Sequence, residues 1–368
     1  MQINKLSLRG FRNYTDTQVT FDPGVNLLLG SNAQGKTNLL EAIYYLSAGH
    51  GFRTRKEAEL ISFGADFADL EAEIYSHDRE NTLRAVLFAG RRPRQLYVSG
   101  VKQKTFAGMR GQLSTVLFCP EDLSVLKSGA SARRKLLDYA LCQLRSGYEA
   151  ALTEYNRLLE HKSRILKDYR EFPSLAETLP EFNLRMAQLG AVIIGYRANY
   201  LEKLSRCTAR YHGEFSGGKE QLRLTYKTVS NIQDPKCGRI ELEKLLLEHQ
   251  QSHLRAELES GQCLSGPHKD DFDVFLDDIS LKSFGSQGQT RTAAISVKLA
   301  EREILRDDTG QEPVLLLDDV LSELDNKRQD FVLNRIKTGQ VFITCCEEDR
   351  LTETGKIIHI EGGCASCI

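Results

Sequence analysis

Eight residues near the start of the chain have the spacing of a phosphate-binding loop. An apolar run precedes this loop, and apolar positions at helical spacing follow it. In the pattern G-x-x-x-x-G-K-[ST], glycine lets backbone amides surround a β-phosphate, lysine reaches the β- and γ-phosphate oxygens, and the hydroxyl binds Mg²⁺. The sequence therefore predicts a nucleotide site here. Its residues are Gly30, Ser31, Asn32, Ala33, Gln34, Gly35, Lys36 and Thr37.

A second stretch, late in the chain, is an apolar strand that ends in two carboxylates. Residues 314–317 are wholly apolar, and Asp318 and Asp319 follow them directly. Buried strands that end in acidic residues are common in proteins that bind no nucleotide, so the pattern alone is weak. It becomes informative because the same chain contains a phosphate loop. In that context the first aspartate binds Mg²⁺ together with Thr37, and the second polarises a water molecule.

A polar, glycine-containing turn at residues 286–289 precedes apolar positions at helical spacing. The start of a helix carries about half a positive charge and free backbone amides, which suits a γ-phosphate. An ordinary helix cap is the alternative when the segment is taken alone. The turn is therefore a candidate anion site.

Basic residues are concentrated locally, although the whole chain has 49 Lys plus Arg against 50 Asp plus Glu. This near-neutral total creates no whole-protein field that would attract nucleic acid. Residues 84–120 nevertheless contain seven basic residues and no acidic one. A track along a DNA backbone is one interpretation, and a solvated surface is the alternative. The candidate DNA contacts are Arg53, Arg55, Lys56, Arg91, Arg92, Arg94, Lys102 and Lys104.

The composition excludes several classes of protein. With 41% hydrophobic and 27% charged residues, the 368-residue chain is typical of a globular protein with two or three domains. Its apolar runs are shorter than the about 20 residues of a membrane-spanning helix, and its start does not resemble a secretory signal. The nine cysteines have no disulfide-framework spacing. We predict reduced thiols, a cytosolic location, no membrane partner and a frayed tail at Cys364 to Cys367.

The periodicity of the sequence predicts three regions. Strand-like runs dominate residues 3–29 and 66–118, with a helix from Lys36 to about Leu46 between them. Helical spacing then predicts a long helix over about 136–159 and further helices near 182–211 and 240–258. After residue 272, strands and helices alternate as in a parallel sheet. The predicted domains are 1–125, 126–261 and 262–368, with the middle one mostly helical.

Taken in order, the phosphate loop, the late helix cap and the acidic strand resemble an ATP-binding-cassette ATPase. Longer matches narrow the resemblance to the RecF family of DNA repair proteins over nearly the whole chain. Thr290 and Lys269 depart from the family pattern, where a second glutamine and an arginine are expected, but neither belongs to the assigned nucleotide chemistry. The matching segments are Leu8–Tyr14, Pro120–Gly129 with its continuation to Asp138, Gly266–Asp271, Phe284–Gln289 and Leu316–Asp325.

The resemblance implies an α/β fold, a split ATP-binding-cassette P-loop ATPase head with a β-rich lobe and an inserted helical arm. It places ATP and Mg²⁺ on the phosphate loop and Asp318, and it puts Asp319 where cassette enzymes commonly hold a catalytic glutamate. The shorter carboxylate fits a slow, switch-like ATPase. In an ATP-dependent homodimer, Ser286 and Gly288 would contact the partner's γ-phosphate. Arg12 would lie near the phosphates, and Thr344 would take the place of a switch histidine.

The implied role is recombinational repair and replication restart at single-strand gaps. The implied partners are double-stranded and gapped or single-stranded DNA, with RecO and RecR helping to load RecA. Three alternatives remain open. A chromosome-organising SMC protein needs far longer heptad repeats, a transporter subunit would couple ATP to a membrane partner, and a small-molecule P-loop kinase would need no dimer.

Overall fold

Short apolar runs of the sequence become the central strands of the fold, because a parallel strand is covered on both faces. The structure, a computed structural model, describes residues 1–54, 56–346 and 355–367. Its contacts divide the chain into two units. The first unit comprises Met1–Leu123 and Lys298–Ile368, and the second comprises Ser124–Val297.

The described residues form fifteen strands and eight α-helices. The first unit begins with β1 (Gln2–Phe11), β2 (Tyr14–Thr20), β3 (Val25–Leu29), α1 (Lys36–Ala48), β4 (Phe67–Ser76), β5 (Arg79–Phe88), β6 (Gln95–Val98), β7 (Val101–Gln103) and β8 (Thr115–Phe118). There follow α2 (Ala130–Leu144), α3 (Ser146–Asp168), α4 (Leu179–Ser216), β9 (Leu222–Lys227), α5 (Arg239–Ser260), β10 (Asp271–Leu276), β11 (Ile279–Ser280), α6 (Leu281–Phe284) and α7 (Gln287–Thr309). The chain ends with β12 (Val314–Leu317), α8 (Asn326–Leu333), β13 (Val341–Cys345), β14 (Lys356–Glu361) and β15 (Cys364–Cys367).

One sheet of the first unit is largely parallel and has the order β15-β14-β3-β13-β12-β8. Strand β15 is its antiparallel edge. The leucines of β3 and the apolar side chains of β12 are almost completely buried, as are Leu39, Leu40 and Ile43 of α1. This arrangement brings the ends of β3, β12 and β13 to one edge of the sheet, because neighbouring strands run in the same direction. The α/β class was predicted correctly.

The second sheet of the first unit is antiparallel and has the order β2-β1-β4-β5-β6-β7. In β4 every second residue from Ala68 to Ile74 is buried, which follows from the period of two that its sequence shows. Strands β4 to β7 of the region that the sequence marks as rich in strands therefore belong to one antiparallel sheet with one face on the core, whereas β8 joins the largely parallel sheet.

The second unit combines long helices with a small antiparallel sheet, in the order β11-β10-β9. Helix α4 spans 38 residues and is followed by Gly217, which has the left-handed conformation and caps the helix end. Within this unit the ammonium of Lys162 lies 2.6 Å from the carboxylate of Glu257, and both side chains are fully buried. Removing either partner would leave a buried charge, so this pair ties α3 to α5.

The second unit is longer than the predicted helical insertion of residues 126–261. Strand β10 pairs antiparallel with β9 along its whole length, and Arg133 of α2 holds the carboxylate of Asp271 with Nε at 2.6 Å. Residues beyond 261 therefore pack with the helices, and the boundary between the units falls inside α7. Sequence periodicity does not reveal such a pairing between distant strands.

Two local predictions were wrong. The single helix predicted over 136–159 is two helices, because Arg145 is extended, with φ −139° and ψ 101°, between α2 and α3. The segment predicted as a frayed tail is strand β15, since Gly362 and Gly363 both have positive φ and form the tight turn that pairs it with β14. None of the helices that the structure describes is both long and apolar enough to cross a membrane.

Candidate functional site

The predicted phosphate loop joins β3 to α1, and two of its glycines are required by the geometry. Gly35 has φ +120°, and a β-carbon there would lie 2.7 Å from the side-chain nitrogen of Asn13. A β-carbon on Gly30 would overlap the carbonyl oxygen of Ile360. The loop thus turns tightly into α1, whose first backbone amides are available to an anion.

The ammonium group of Lys36 lies inside the curve of the loop. Its Nζ donates to the carbonyl oxygen of Ser31 at 3.0 Å and to that of Gly30, and it lies 3.4 Å from Sγ of Cys346. The side chain is buried. A phosphate group would offer this charge a stronger, ionised partner than carbonyl dipoles do.

Neighbouring strands hold the loop through contacts that sequence reasoning missed. Asn13 Nδ2 donates to the carbonyl oxygen of Gln34 at 2.8 Å, and the Tyr14 hydroxyl donates to that of Gly35 at 3.0 Å. The amide of Gly362 donates to Oε1 of Gln34 at 2.7 Å. Burial raises the pKa of Tyr14, so its hydroxyl remains a donor. Asn13 and Tyr14 belong to the matching segment Leu8–Tyr14, which was the available signal.

The acidic strand end meets the phosphate loop directly. Thr37 Oγ1 donates to Asp318 Oδ1 at 2.8 Å, and Thr344 Oγ1 donates to the same oxygen at 3.3 Å. Burial raises the pKa of Asp318, while the hydroxyl donors and the charge of Arg53 oppose that rise. Hydroxyl and carboxylate oxygens are the ligands that Mg²⁺ prefers, so Thr37 and Asp318 fit the predicted metal site.

Asp319 lies beside this site in a strained conformation. Its φ is +52°, which is uncommon for a residue other than glycine. Its amide donates to Thr344 Oγ1 at 2.7 Å, and its Oδ1 accepts from Ser322 Oγ at 3.0 Å. The side chain is exposed. These bonds keep the Asp319 carboxylate at the strand edge, next to the metal-binding candidates.

The turn before α7, in the second unit, has the hydrogen bonds of a capping box. Ser286 Oγ accepts from the amide of Gln289 at 3.2 Å, and Oε1 of Gln289 accepts from the amide of Ser286 at 3.0 Å. Thr290, the departure from the family pattern, donates through Oγ1 to the Ser286 carbonyl oxygen at 2.8 Å. Ser286 is exposed. Contact of Ser286 and Gly288 with a nucleotide stays a prediction.

Arg12 is held by the helix that follows the phosphate loop. Its Nε donates to Oε2 of Glu41 at 2.9 Å, and its NH1 donates to the carbonyl oxygen of Glu59 at 2.8 Å. Glu41 is fully buried in α1. Arg12 therefore links the turn between β1 and β2 to α1, and its predicted place near phosphates stays a prediction.

The candidate DNA contacts differ in how accessible they are. Arg94 donates to the Tyr45 hydroxyl at 2.9 Å and the Gly49 carbonyl at 2.6 Å and pairs with Glu57, so its guanidinium is engaged within the unit. Arg55 lies outside the described residues. Exposed side chains are found at Arg53, Lys56, Arg91, Arg92, Lys102 and Lys104.

The chain is similar to known proteins over nearly its whole length. The family model "RecF/RecN/SMC N terminal domain" matches residues 2–364. A DNA replication and repair protein RecF from Acetivibrio thermocellus is 34% identical, covering 99% of each chain. One from Ligilactobacillus salivarius is 37% identical, covering 99% of this chain and 97% of its own.

Two solved structures are similar to this chain over its whole length. A RecF–ATPrS structure of the RecFOR pathway has a TM-score of 0.92 at 33% identity and covers 100% of this chain and 98% of its own. An Smc head domain derived from Pyrococcus furiosus, bound to the C-terminal domain of ScpA, has a TM-score of 0.58 at 18% identity, covering 100% of this chain and 95% of its own. The second likeness concerns the fold alone.

Proposed function

The chain belongs to the RecF family of DNA replication and repair proteins, and on this premise we propose that it is an ATP-driven switch that binds DNA at single-strand gaps. The observation that carries the proposal is the 2.8 Å hydrogen bond between Thr37 and Asp318. It joins the end of the phosphate loop to the end of the acidic strand, as a site for nucleotide and metal requires.

In this proposal the residues of the first unit bind and orient ATP. The backbone of the loop and Lys36 hold the phosphates, and Thr37 and Asp318 would hold Mg²⁺. When bound, Mg²⁺ neutralises charge on the phosphate oxygens. Asp319 orients the attacking water from the strand edge. Its short side chain reaches less far than a glutamate, which fits slow hydrolysis.

The switch acts through a homodimer that forms on ATP. Ser286 and Gly288 at the start of α7 contact the γ-phosphate of ATP held by the partner subunit, where the helix end favours negative charge. Hydrolysis then removes the γ-phosphate that links the two subunits. The dimer therefore persists until its bound ATP is hydrolysed.

The antiparallel sheet of the first unit binds the DNA backbone through exposed basic residues on it and on its loops, and the dimer acts in the cytoplasm in recombinational repair and replication restart. With RecO and RecR it helps to load RecA onto the single strand. The support for DNA binding is that Arg91, Arg92, Lys102 and Lys104 are all exposed. The support for the partner proteins is that a similar solved structure is described as a recombination mediator of the RecFOR pathway.

Light scattering tests the proposed function. The purified protein should be monomeric alone and dimeric with ATP and Mg²⁺, and addition of gapped duplex DNA should raise ATP hydrolysis. A monomer under all conditions, with hydrolysis unaffected by DNA, would instead support a small-molecule kinase. ADP serves as the control nucleotide, because it lacks the γ-phosphate that would join the subunits.

Asp319→Asn should retain ATP binding and lower hydrolysis by about 10²- to 10⁴-fold, the usual contribution of a group that positions a proton or water. Asparagine tolerates the left-handed conformation and keeps an oxygen for Ser322, so the local fold should persist. The ATP-bound dimer should therefore live longer than that of the wild type. Single-turnover hydrolysis and dimer dissociation are measured together. Loss of ATP binding would show that Asp319 is a binding residue.

Replacing Arg91 and Arg92 together with glutamine should make DNA affinity less dependent on salt. Each lost contact with a duplex phosphate lowers the slope of log K against log salt by about 0.9. Arg94→Gln is the matched control, because its guanidinium is engaged by Tyr45, Gly49 and Glu57. The control should reduce thermal stability and leave the slope unchanged. An unchanged slope of log K against log salt in the double variant would show that DNA binds to another surface.

A further inference from the structure

Phe63 is a large apolar side chain that is fully exposed, at the tip of a tight turn in the first unit. The amide of Ala65 donates to the Ser62 carbonyl oxygen at 3.0 Å, and Gly64 has φ +80°. The amide of Ser62 donates to the carbonyl oxygen of Gly10 in β1 at 2.8 Å. Backbone hydrogen bonds thus hold Phe63 out from the sheet, so its exposure follows from an ordered turn.

Two arginines and two phenylalanines form a cluster at the same end of the antiparallel sheet. Phe67 and Phe88 are directly opposite each other on β4 and β5. The Arg9 guanidinium lies over the Phe67 ring, 5.7 Å from its centroid, and that of Arg92 lies over the Phe88 ring at 3.9 Å. Both arginines are exposed. We name these four residues the arginine–phenylalanine cluster.

Phe63 and this cluster lie next to each other along the sheet end. Ser62, the neighbour of Phe63, is bonded to Gly10, which follows Arg9 in β1. Asp69 is directly opposite Arg9, but its carboxylate accepts two hydrogen bonds from Arg84, at 2.9 Å and 2.6 Å. The carboxylate of Asp69 is therefore engaged by another arginine, while Asp16 of β2, which is also directly opposite Arg9, is exposed and adds a negative charge beside this guanidinium.

We propose that Phe63 stacks on an unpaired base of DNA while Arg9 and Arg92 bind the neighbouring phosphates. The inference rests on the proposed DNA binding and deepens it. Bases inside a duplex are stacked on both faces, so an aromatic ring can stack on a base that is single-stranded or at a junction. Guanidinium groups beside an exposed aromatic ring suit a polymer that carries both phosphates and bases. The guanidinium groups bind the phosphates, and the ring stacks on the flat face of a base.

This arrangement predicts that the arginines and Phe63 bind different parts of the same DNA. Arginine contacts supply affinity for any DNA, since they address the phosphates. Phe63 adds affinity where bases are unpaired. The first unit would therefore prefer a gap or a single strand to a blunt duplex without reading the base sequence.

The chain contains no tryptophan, which makes a direct test possible. In Phe63→Trp the single indole should be quenched when a single-stranded oligonucleotide or gapped duplex is added, and much less by a blunt duplex. Phe63→Trp should keep the wild-type affinity for single strands. Phe63→Ala and Phe63→Leu should both lose about 5- to 150-fold in single-strand affinity and keep the duplex affinity.

The leucine variant separates stacking from apolar packing, because it keeps an apolar side chain but has no aromatic face. Phe172→Ala, which removes an exposed phenylalanine of the second unit, is the matched control and should change neither affinity. Equal single-strand affinity of wild type and Phe63→Ala, with no quenching in Phe63→Trp, would overturn the inference. Wild-type affinity for single strands in Phe63→Leu would also overturn the inference, because it would show that an apolar contact suffices and that stacking is not involved. Absence of DNA binding by the wild type would overturn the proposed function itself.

Discussion

Lys36→Ala should abolish ATP hydrolysis and weaken ATP binding by about 10- to 150-fold. The estimate corresponds to about 1.5 to 3 kcal/mol for one charge-assisted contact. The physical reason is the position of the ammonium, which is buried inside the loop and held by the carbonyl oxygens of Gly30 and Ser31. Without this charge the phosphates lose their main cationic partner from the protein.

Thermal unfolding with and without nucleotide measures the binding defect of Lys36→Ala. A ligand that binds the folded state raises the free energy of unfolding in proportion to ln(1 + [L]/Kd), so ATP should stabilise the wild type more than the variant. Without nucleotide the two proteins should unfold at similar temperatures. Lys36→Arg serves as the control that keeps a charge at this position. Hydrolysis at the wild-type rate in Lys36→Ala would remove the phosphate-loop assignment.

Ser286→Arg should prevent the ATP-driven dimer while each monomer still binds ATP. Ser286 is exposed at the start of α7, and its side chain caps the helix through Gln289. A long cationic side chain there would occupy the space that the partner's γ-phosphate requires. Its own phosphate loop is unchanged, so stabilisation by ATP should match that of the wild type.

Ser230→Arg is the matched control for this prediction. Ser230 is an exposed serine of the same unit and lies outside the helix cap. Because both variants replace serine with arginine, they make the same change of size and charge. It should dimerise on ATP as the wild type does. Normal dimerisation and hydrolysis in Ser286→Arg would contradict the shared site and favour a site complete within one chain.

The central sheet and the phosphate loop could be predicted because their signals are local. The apolar run before Gly30 and the apolar strand before Asp318 are each continuous in sequence. The break between α2 and α3 could not be found this way, because the apolar spacing continues through Arg145 while its backbone is extended. The turn at Gly362 and Gly363 carried a usable signal, since paired glycines favour tight hairpins.

Side-chain partners that are distant in sequence account for most of what was missed. Arg94 was predicted to face DNA, but its acceptors lie on Tyr45, Gly49 and Glu57, which no local pattern connects to it. The link from Asn13 to the phosphate loop is likewise a tertiary contact. Composition and charge indicate which residues can bind phosphate, and packing decides which of them remain available.

Mixing Lys36→Ala with Ser286→Arg tests the shared active site most directly. In a mixed dimer, one site would combine both lesions, and the other would combine an intact phosphate loop with an intact cap. Some ATP hydrolysis should therefore return, although each variant alone has none, and nucleotide-dependent crosslinking of the mixture should rise with it. Crosslinking is measured in the same samples because one intact site holds the dimer less firmly than two. A mixture that neither crosslinks nor hydrolyses ATP beyond the separate variants would contradict the account.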